Sequence, residues 1–163
     1  MKTLLLMRHG KSSWKDSDLS DHDRPLKKRG VKNSARMGEL LKEAELIPQR
    51  ILSSTAVRSR QTVEAIAEKM DYKGEILYLD TFYLAEMAVY LAALQTQPDD
   101  IERVMIVGHN PGLESLMQVL SRQVEALTTA AVAYIILPVK SWRELTEKTE
   151  GELHEIWRPR ELN

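Results

Sequence analysis

The chain contains no cysteine. Its absence removes disulfides, cysteine zinc sites and any phosphatase mechanism that runs through a thiolate. It also fits a reducing compartment, where disulfides do not persist. Charge of one sign is missing as well. A formal net charge of −1 gives no global attraction to nucleic acid or to an anionic membrane, so neither is expected as a partner. An anion site must then be assembled locally from a few cations. No apolar run approaches the length of a membrane span, and the opening run over 1–7 stops at Arg8-His9-Gly10, too short for the core of a signal peptide. A cytoplasmic protein is expected. The four histidines, His9, His22, His109 and His154, show no HExxH or paired-ligand spacing, and no GxxxxGK[ST] loop occurs. Neither a resident metal nor a cofactor is expected.

What is present is ordinary for a globular chain: 163 residues, 43% hydrophobic and 29% charged. That length suits one domain with a substantial core, and no repeat or low-complexity linker divides it. The expectation is a single domain over 1–163. Hydrophobic runs at 3–7, 50–53, 104–107 and 131–137 read as buried strands, with a weaker one at Glu75–Leu79 and another at Glu152–Trp157. Between them lie helical faces. One carries Val31, Ala35, Gly38, Leu41 and Ala44, and another Val63, Ile66, Ala67 and Met70. Two more carry Leu84, Met87, Ala88, Leu91 and Leu94, and Leu113, Leu116, Met117 and Leu120. Asn110 suits an N-cap with Pro111 as first helical residue, and Ser141 with Glu144 suits a capping box. Strands alternating with helices predict an α/β sheet covered by helices, whose ligand site lies beyond the carboxyl ends of the strands.

The chemistry-bearing residues fall at those ends. Arg8-His9-Gly10 follows the first strand and His109-Asn110-Pro111-Gly112 follows the 104–107 strand. Arg58 lies in the first turn of a helix that Ser54 or Thr55 is placed to cap. Each has a bland explanation alone: a polar strand end, a structural histidine, a solvated arginine. Together they make a phosphate site. Two guanidiniums offer bidentate donors, a helix start at Asn110 adds backbone N–H groups, and a histidine kept neutral by neighbouring arginines has a nucleophilic lone pair. Those arginines would also repel a metal cation.

Three segments resemble the histidine phosphatase superfamily: Leu6-Met7-Arg8-His9-Gly10, the stretch Ser53-Ser54-Thr55-Ala56-Val57-Arg58-Ser59-Arg60-Gln61-Thr62, and Val107-Gly108-His109-Asn110-Pro111. Further segments resemble its short, phosphohistidine phosphatase-like branch. They are Lys11-Ser12-Ser13-Trp14, Asp21-His22-Asp23-Arg24-Pro25-Leu26, Arg29-Gly30, and the closing Arg158-Pro159-Arg160-Glu161-Leu162. The resemblance implies a phosphoglycerate mutase-like fold, a three-layer α/β/α sandwich with a mostly parallel central sheet. It makes His9 the phosphate acceptor, His109 its electrostatic partner, and Arg8 and Arg58 the phosphate clamp. Where the mutase branch has an Asn after a Trp, this chain has Trp14-Lys15, which leaves Lys15 as a candidate phosphate contact or a solvated loop lysine.

The mutases also carry a glutamate acid after the third strand, and no clear equivalent stands in this chain. Glu86 and Asp80 are weak candidates, Glu86 fitting better as a first-turn helix residue. A general acid contributes about 10² to 10⁴-fold when the leaving group needs a proton. An alkoxide needs that help; an imidazole, with a reference pKa of ~6.5, needs far less. The expected function is therefore a metal-independent phosphatase acting on phosphohistidine in a protein. A phosphomonoesterase for small phosphate esters is the alternative enzyme, and a non-catalytic phosphate-binding module the alternative from another class. The three tryptophans are expected to be packing anchors, and no role is assigned to Arg24, His22 or His154.

Overall fold

The computed structural model describes residues 1–162; residue 163, the last of the expected domain, lies outside them. Six strands form one sheet in the order β3-β2-β4-β1-β5-β6. They are β1 (Lys2–Arg8), β2 (Arg50–Ser54), β3 (Glu75–Leu79), β4 (Arg103–Gly108), β5 (Val132–Leu137) and β6 (Glu152–Trp157). The first four run parallel, while β5 and β6 are antiparallel to their neighbours. All six strands expected from hydrophobic runs are present, with ends shifted by one residue at most.

Strand β1 explains the layering. Successive side chains of a strand point to opposite faces. Leu4 and Leu6 enter one core with Leu94 of α3 (Met87–Gln95) and Leu113, Leu116, Met117 and Leu120 of α4 (Gly112–Ser121). Leu5 and Met7 enter the other core with Met37 and Leu41 of α1 (Lys28–Glu43) and Val63 and Ile66 of α2 (Val57–Met70). The expected α/β/α sandwich with a mostly parallel sheet is the fold.

Three local expectations need correction. Helix α1 is turned by about one position: Gly30, Ser34, Met37, Gly38 and Leu41 are buried, whereas Val31 is 45% exposed. The cause is backbone contact. A Cβ on Gly30 would strike the Lys11 carbonyl, and one on Gly10 would lie 2.7 Å from the Gly30 carbonyl oxygen. Only a glycine face allows that approach, and it sets the rotation of the helix. Second, α3 starts later than expected, because Leu84 has φ 49° and lies exposed in the preceding turn, with Glu86 as the N-cap. Third, Trp142 is a fully buried anchor, its indole N–H donating to the Ile101 carbonyl at 2.6 Å, but Trp14 is 71% exposed. The Ser141–Glu144 cap does form, closing a single 3₁₀ turn, with the Ser141 N–H donating to Glu144 Oε1 at 3.2 Å. Among the described residues, no helix is long and apolar enough to cross a membrane.

Candidate active site

The carboxyl ends of β1, β2 and β4 meet at one rim, and the sequence-predicted residues meet there. Arg8 ends β1, His9 follows it, and the His9 N–H donates to the Gly108 carbonyl at 3.2 Å, locking the end of β1 to the end of β4. His109 follows β4, so the two imidazole centroids lie 5.2 Å apart. Arg58 sits in the first turn of α2, one turn beyond β2. Arg8, His9, Arg58 and His109 line a single cavity of about 310 Å³.

The hydrogen bonds around each histidine define its chemistry. His9 Nδ1 lies 2.7 Å from the Gly10 carbonyl oxygen, which can only accept; Nδ1 therefore carries the proton and Nε2 keeps its lone pair. Burial pushes the His9 pKa down to about 4, and the charges of Arg58, Arg8 and Arg24 add to that fall. Desolvation therefore leads, where neighbouring arginines alone are expected from the sequence. His109 is lowered further, to about 3, by burial first and then by His9 and Arg58. Its Nε2 lies 2.8 Å from Ser54 Oγ, which also accepts from the Ala56 N–H. His109 Nδ1 is a buried atom with no partner among the described residues. The Nε atoms of Arg8 and Arg58 are likewise buried and unpartnered. Buried polar nitrogens are normally paired, and three without a partner at one rim suit an anion with several oxygens.

Other residues arrive that the sequence argument left without a role. Arg24, only 7% exposed, lines the same cavity. Its Nη1 donates to Ser12 Oγ at 2.8 Å, its Nε donates to Asp21 Oδ1 at 3.1 Å, and its guanidinium lies 3.4 Å from the Trp14 ring centroid. Trp14 is therefore a platform for an arginine and not a core anchor. Asp21 also accepts from Arg58 Nη2 at 3.1 Å and from the Tyr83 hydroxyl. The Tyr83 hydrogen bond, followed by Arg58, holds the Asp21 pKa down to about 2. Among the described residues Asp21 is the only carboxylate lining the cavity, and it is ionised at neutral pH. It bridges the Arg24 and Arg58 guanidiniums. The available signal for both residues was the Asp21–Leu26 segment itself, which the fold returns to the site by pairing Ser13 with Pro25 and Lys11 with Lys27.

The remaining candidates divide. Lys15 is exposed and does not line the cavity; it borders a neighbouring groove with Trp14 and Lys27, while Lys11 lines the cavity instead. Asn110 does line it, but its amide is engaged: Nδ2 donates to the Leu127 carbonyl at 2.9 Å and Oδ1 accepts from the Glu114 N–H at 3.3 Å. Pro111 is the N-cap of α4, so Asn110 caps from one residue earlier. Leu113 N–H donates to the His109 carbonyl, leaving this helix start with fewer free donors than expected. Nor do Ser54 or Thr55 take the N-cap of α2, which falls to Ala56. Glu86 and Asp80 are exposed and line no part of the cavity. His22 Nε2 lies 3.0 Å from Thr55 Oγ1, near the rim, and His154 sits out on β6 beside Glu152.

A core of two neutral histidines within a ring of arginines can accept a phosphoryl group on nitrogen and hold its oxygens. Residues 4–135 match the sequence profile of the histidine phosphatase superfamily (branch 1), and the chain belongs to that family. It is accordingly a phosphatase, a hydrolase of that superfamily. A chloroplastic protein of Arabidopsis thaliana is 33% identical over 153 residues, covering 88% of this chain and 70% of the relative. Two solved structures are similar over nearly the whole chain. One, from Agrobacterium tumefaciens, is assigned as the phosphohistidine phosphatase SixA, with a TM-score of 0.84, 26% identity, and coverage of 97% of this chain and 98% of that one. The other, with the same assignment, is from Nakamurella multipartitia, with a TM-score of 0.83, 27% identity, and coverage of 97% and 96%.

Proposed function

We propose that this phosphatase removes phosphate from phosphohistidine in a protein, through a phosphohistidine intermediate on His9 and without a metal. One observation carries the reading: the only cavity carboxylate among the described residues is Asp21, and its partners keep it ionised. A site with no protonated acid suits a leaving group that departs without one. In the first step His9 Nε2 bonds to phosphorus as the P–N bond of the substrate breaks, and the substrate's ring, already protonated on its other nitrogen, leaves as neutral imidazole. In the second, water attacks the phosphorus of phospho-His9, freeing inorganic phosphate and restoring the neutral imidazole. Arg8, Arg24 and Arg58, with His109, hold the equatorial oxygens in both steps. The same guanidiniums would oppose a divalent cation, which supports a metal-independent reaction.

The neighbours assigned as phosphohistidine phosphatases favour this substrate over small esters. Lys15 and Asn110 have no direct part in this reading. It treats 1–163 as one domain and places the protein in the cytoplasm, although the Arabidopsis relative is chloroplastic. The test compares phosphate release from a phosphohistidine-bearing protein and from p-nitrophenyl phosphate, both in chelator. Faster release from the phosphohistidine protein is expected, by about 10² or more, the contribution of a general acid that only the ester would miss. Equal or faster turnover of the ester would move the assignment to a small-ester phosphatase.

A further inference from the structure

The geometry at the cavity does not account for two other segments, Arg29-Gly30 and the closing Arg158–Leu162 stretch. Gly30 has a reason, the close approach of α1 to Lys11. Arg29 and Arg160 do not. Both are exposed, and neither makes an ion pair or side-chain hydrogen bond among the described residues, although the chain carries 24 acidic residues. They line a second cavity, about 490 Å³, together with Asn33, Thr128, Thr129 and Pro159. Its polar side chains are two guanidiniums, one amide and two hydroxyls, with no carboxylate in the wall.

This second cavity adjoins the first. Thr129 lines both. The loop that carries it is fastened to the catalytic segment, because the Ala130 N–H lies 3.0 Å from the carbonyl oxygens of both Arg8 and His9. On the opposite wall, the first turn of α1 has no acidic residue and no side-chain cap, and presents Lys28 and Arg29 where a helix favours negative charge. An anion seated between Arg29 and Arg160 would relieve that arrangement.

We infer that this cavity is a second anion subsite, which takes the carboxylate of an acidic side chain flanking the phosphorylated residue of a polypeptide substrate. The inference rests on the phosphatase acting on a protein, and extends it from the phosphate to its surroundings. Two guanidiniums match carboxylate oxygens, and the shared Thr129 wall sets the acidic residue beside the phosphate. Exposed pairs of this kind are individually weak and fade with salt.

The test uses the whole chain and the double variant Arg29→Gln/Arg160→Gln, on phosphohistidine peptides with Glu or Ala flanks, the matching phosphoserine peptides, p-nitrophenyl phosphate and butane-1,4-diol bisphosphate. The unaltered protein should prefer Glu flanks by about three- to tenfold in kcat/KM at low salt, the range for two exposed ion pairs. The double variant should lose that preference while turning over p-nitrophenyl phosphate unchanged. A preference that survives in the variant, or is absent from the unaltered protein, overturns the subsite. So does a variant impaired on the bisphosphate and not on Glu-flanked peptides, which would assign the cavity to a small molecule. Should the phosphoserine peptides be cleaved as well as the phosphohistidine ones, the P–N preference fails. The flank comparison within the ester series still decides the subsite.

Discussion

Two buried histidines kept neutral give this site its pH behaviour. His9 falls to about 4 and His109 to about 3, both below the ordinary value of 6.5. In free enzyme the nucleophile is therefore unprotonated down to about pH 4. The acid limb of kcat/KM, corrected for ionisation of the substrate's own phosphate, should fall near pH 4; a limb near 6.5 would mean that burial does not control His9. The same shifts act on stability. Between the folded and unfolded values the unfolded chain binds more protons, so stability rises with pH across that window. It should fall as pH drops from about 6.5 toward 4 and 3, and urea midpoints of His9→Asn should show a shallower fall than those of the unaltered protein. Asp21 shows the limit of residue-level reading. Its role depends on Arg58 and Tyr83 arriving from two distant segments to meet it beside Arg24, three residues along its own, and no spacing in the sequence announces that long-range meeting.

At the scale of elements, the hydrophobic runs located all six strands because buried strands are marked by continuous apolar residues. Helix faces were harder to read. The side-chain pattern of α1 placed Val31 inward, but the rotation is set by Gly10 and Gly30 meeting backbone to backbone, which hydrophobicity does not encode. That contact is testable by the sign of one substitution. In an ordinary helix interior, Gly→Ala stabilises by up to about 1 kcal/mol. Gly30→Ala should instead destabilise by about 1–3 kcal/mol in urea unfolding, because its Cβ meets the carbonyl and amide of Lys11. A stabilised variant would show that α1 has room at this contact. Helix starts were likewise legible in kind but not in position. Asn110 caps α4 and Ser54 serves the start of α2, each from one residue or more before the N-cap.

For the whole molecule, the rule that α/β sheets bind ligands beyond their strand ends turned four scattered residues into one site. Arg8, His9, Arg58 and His109 lie together because β1 and β4 are neighbours and β2 is next to β4. The near-zero net charge concealed the local imbalance, since Arg8, Arg24, Arg58 and Lys11 face one carboxylate across the cavity. Arg24 was visible only as part of a resembling segment, and its burial against Trp14 supplies the reason. The central claim is that phosphate passes through His9. The most direct measurement is trapping of labelled phosphate from a phosphohistidine protein in the presence of chelator, quenched in alkaline denaturant, followed by mapping of the labelled residue. Acid-labile, base-stable label on His9, absent from His9→Ala while that variant keeps its fold, is the predicted result. Turnover retained in His9→Ala, or label on another residue, would contradict the account.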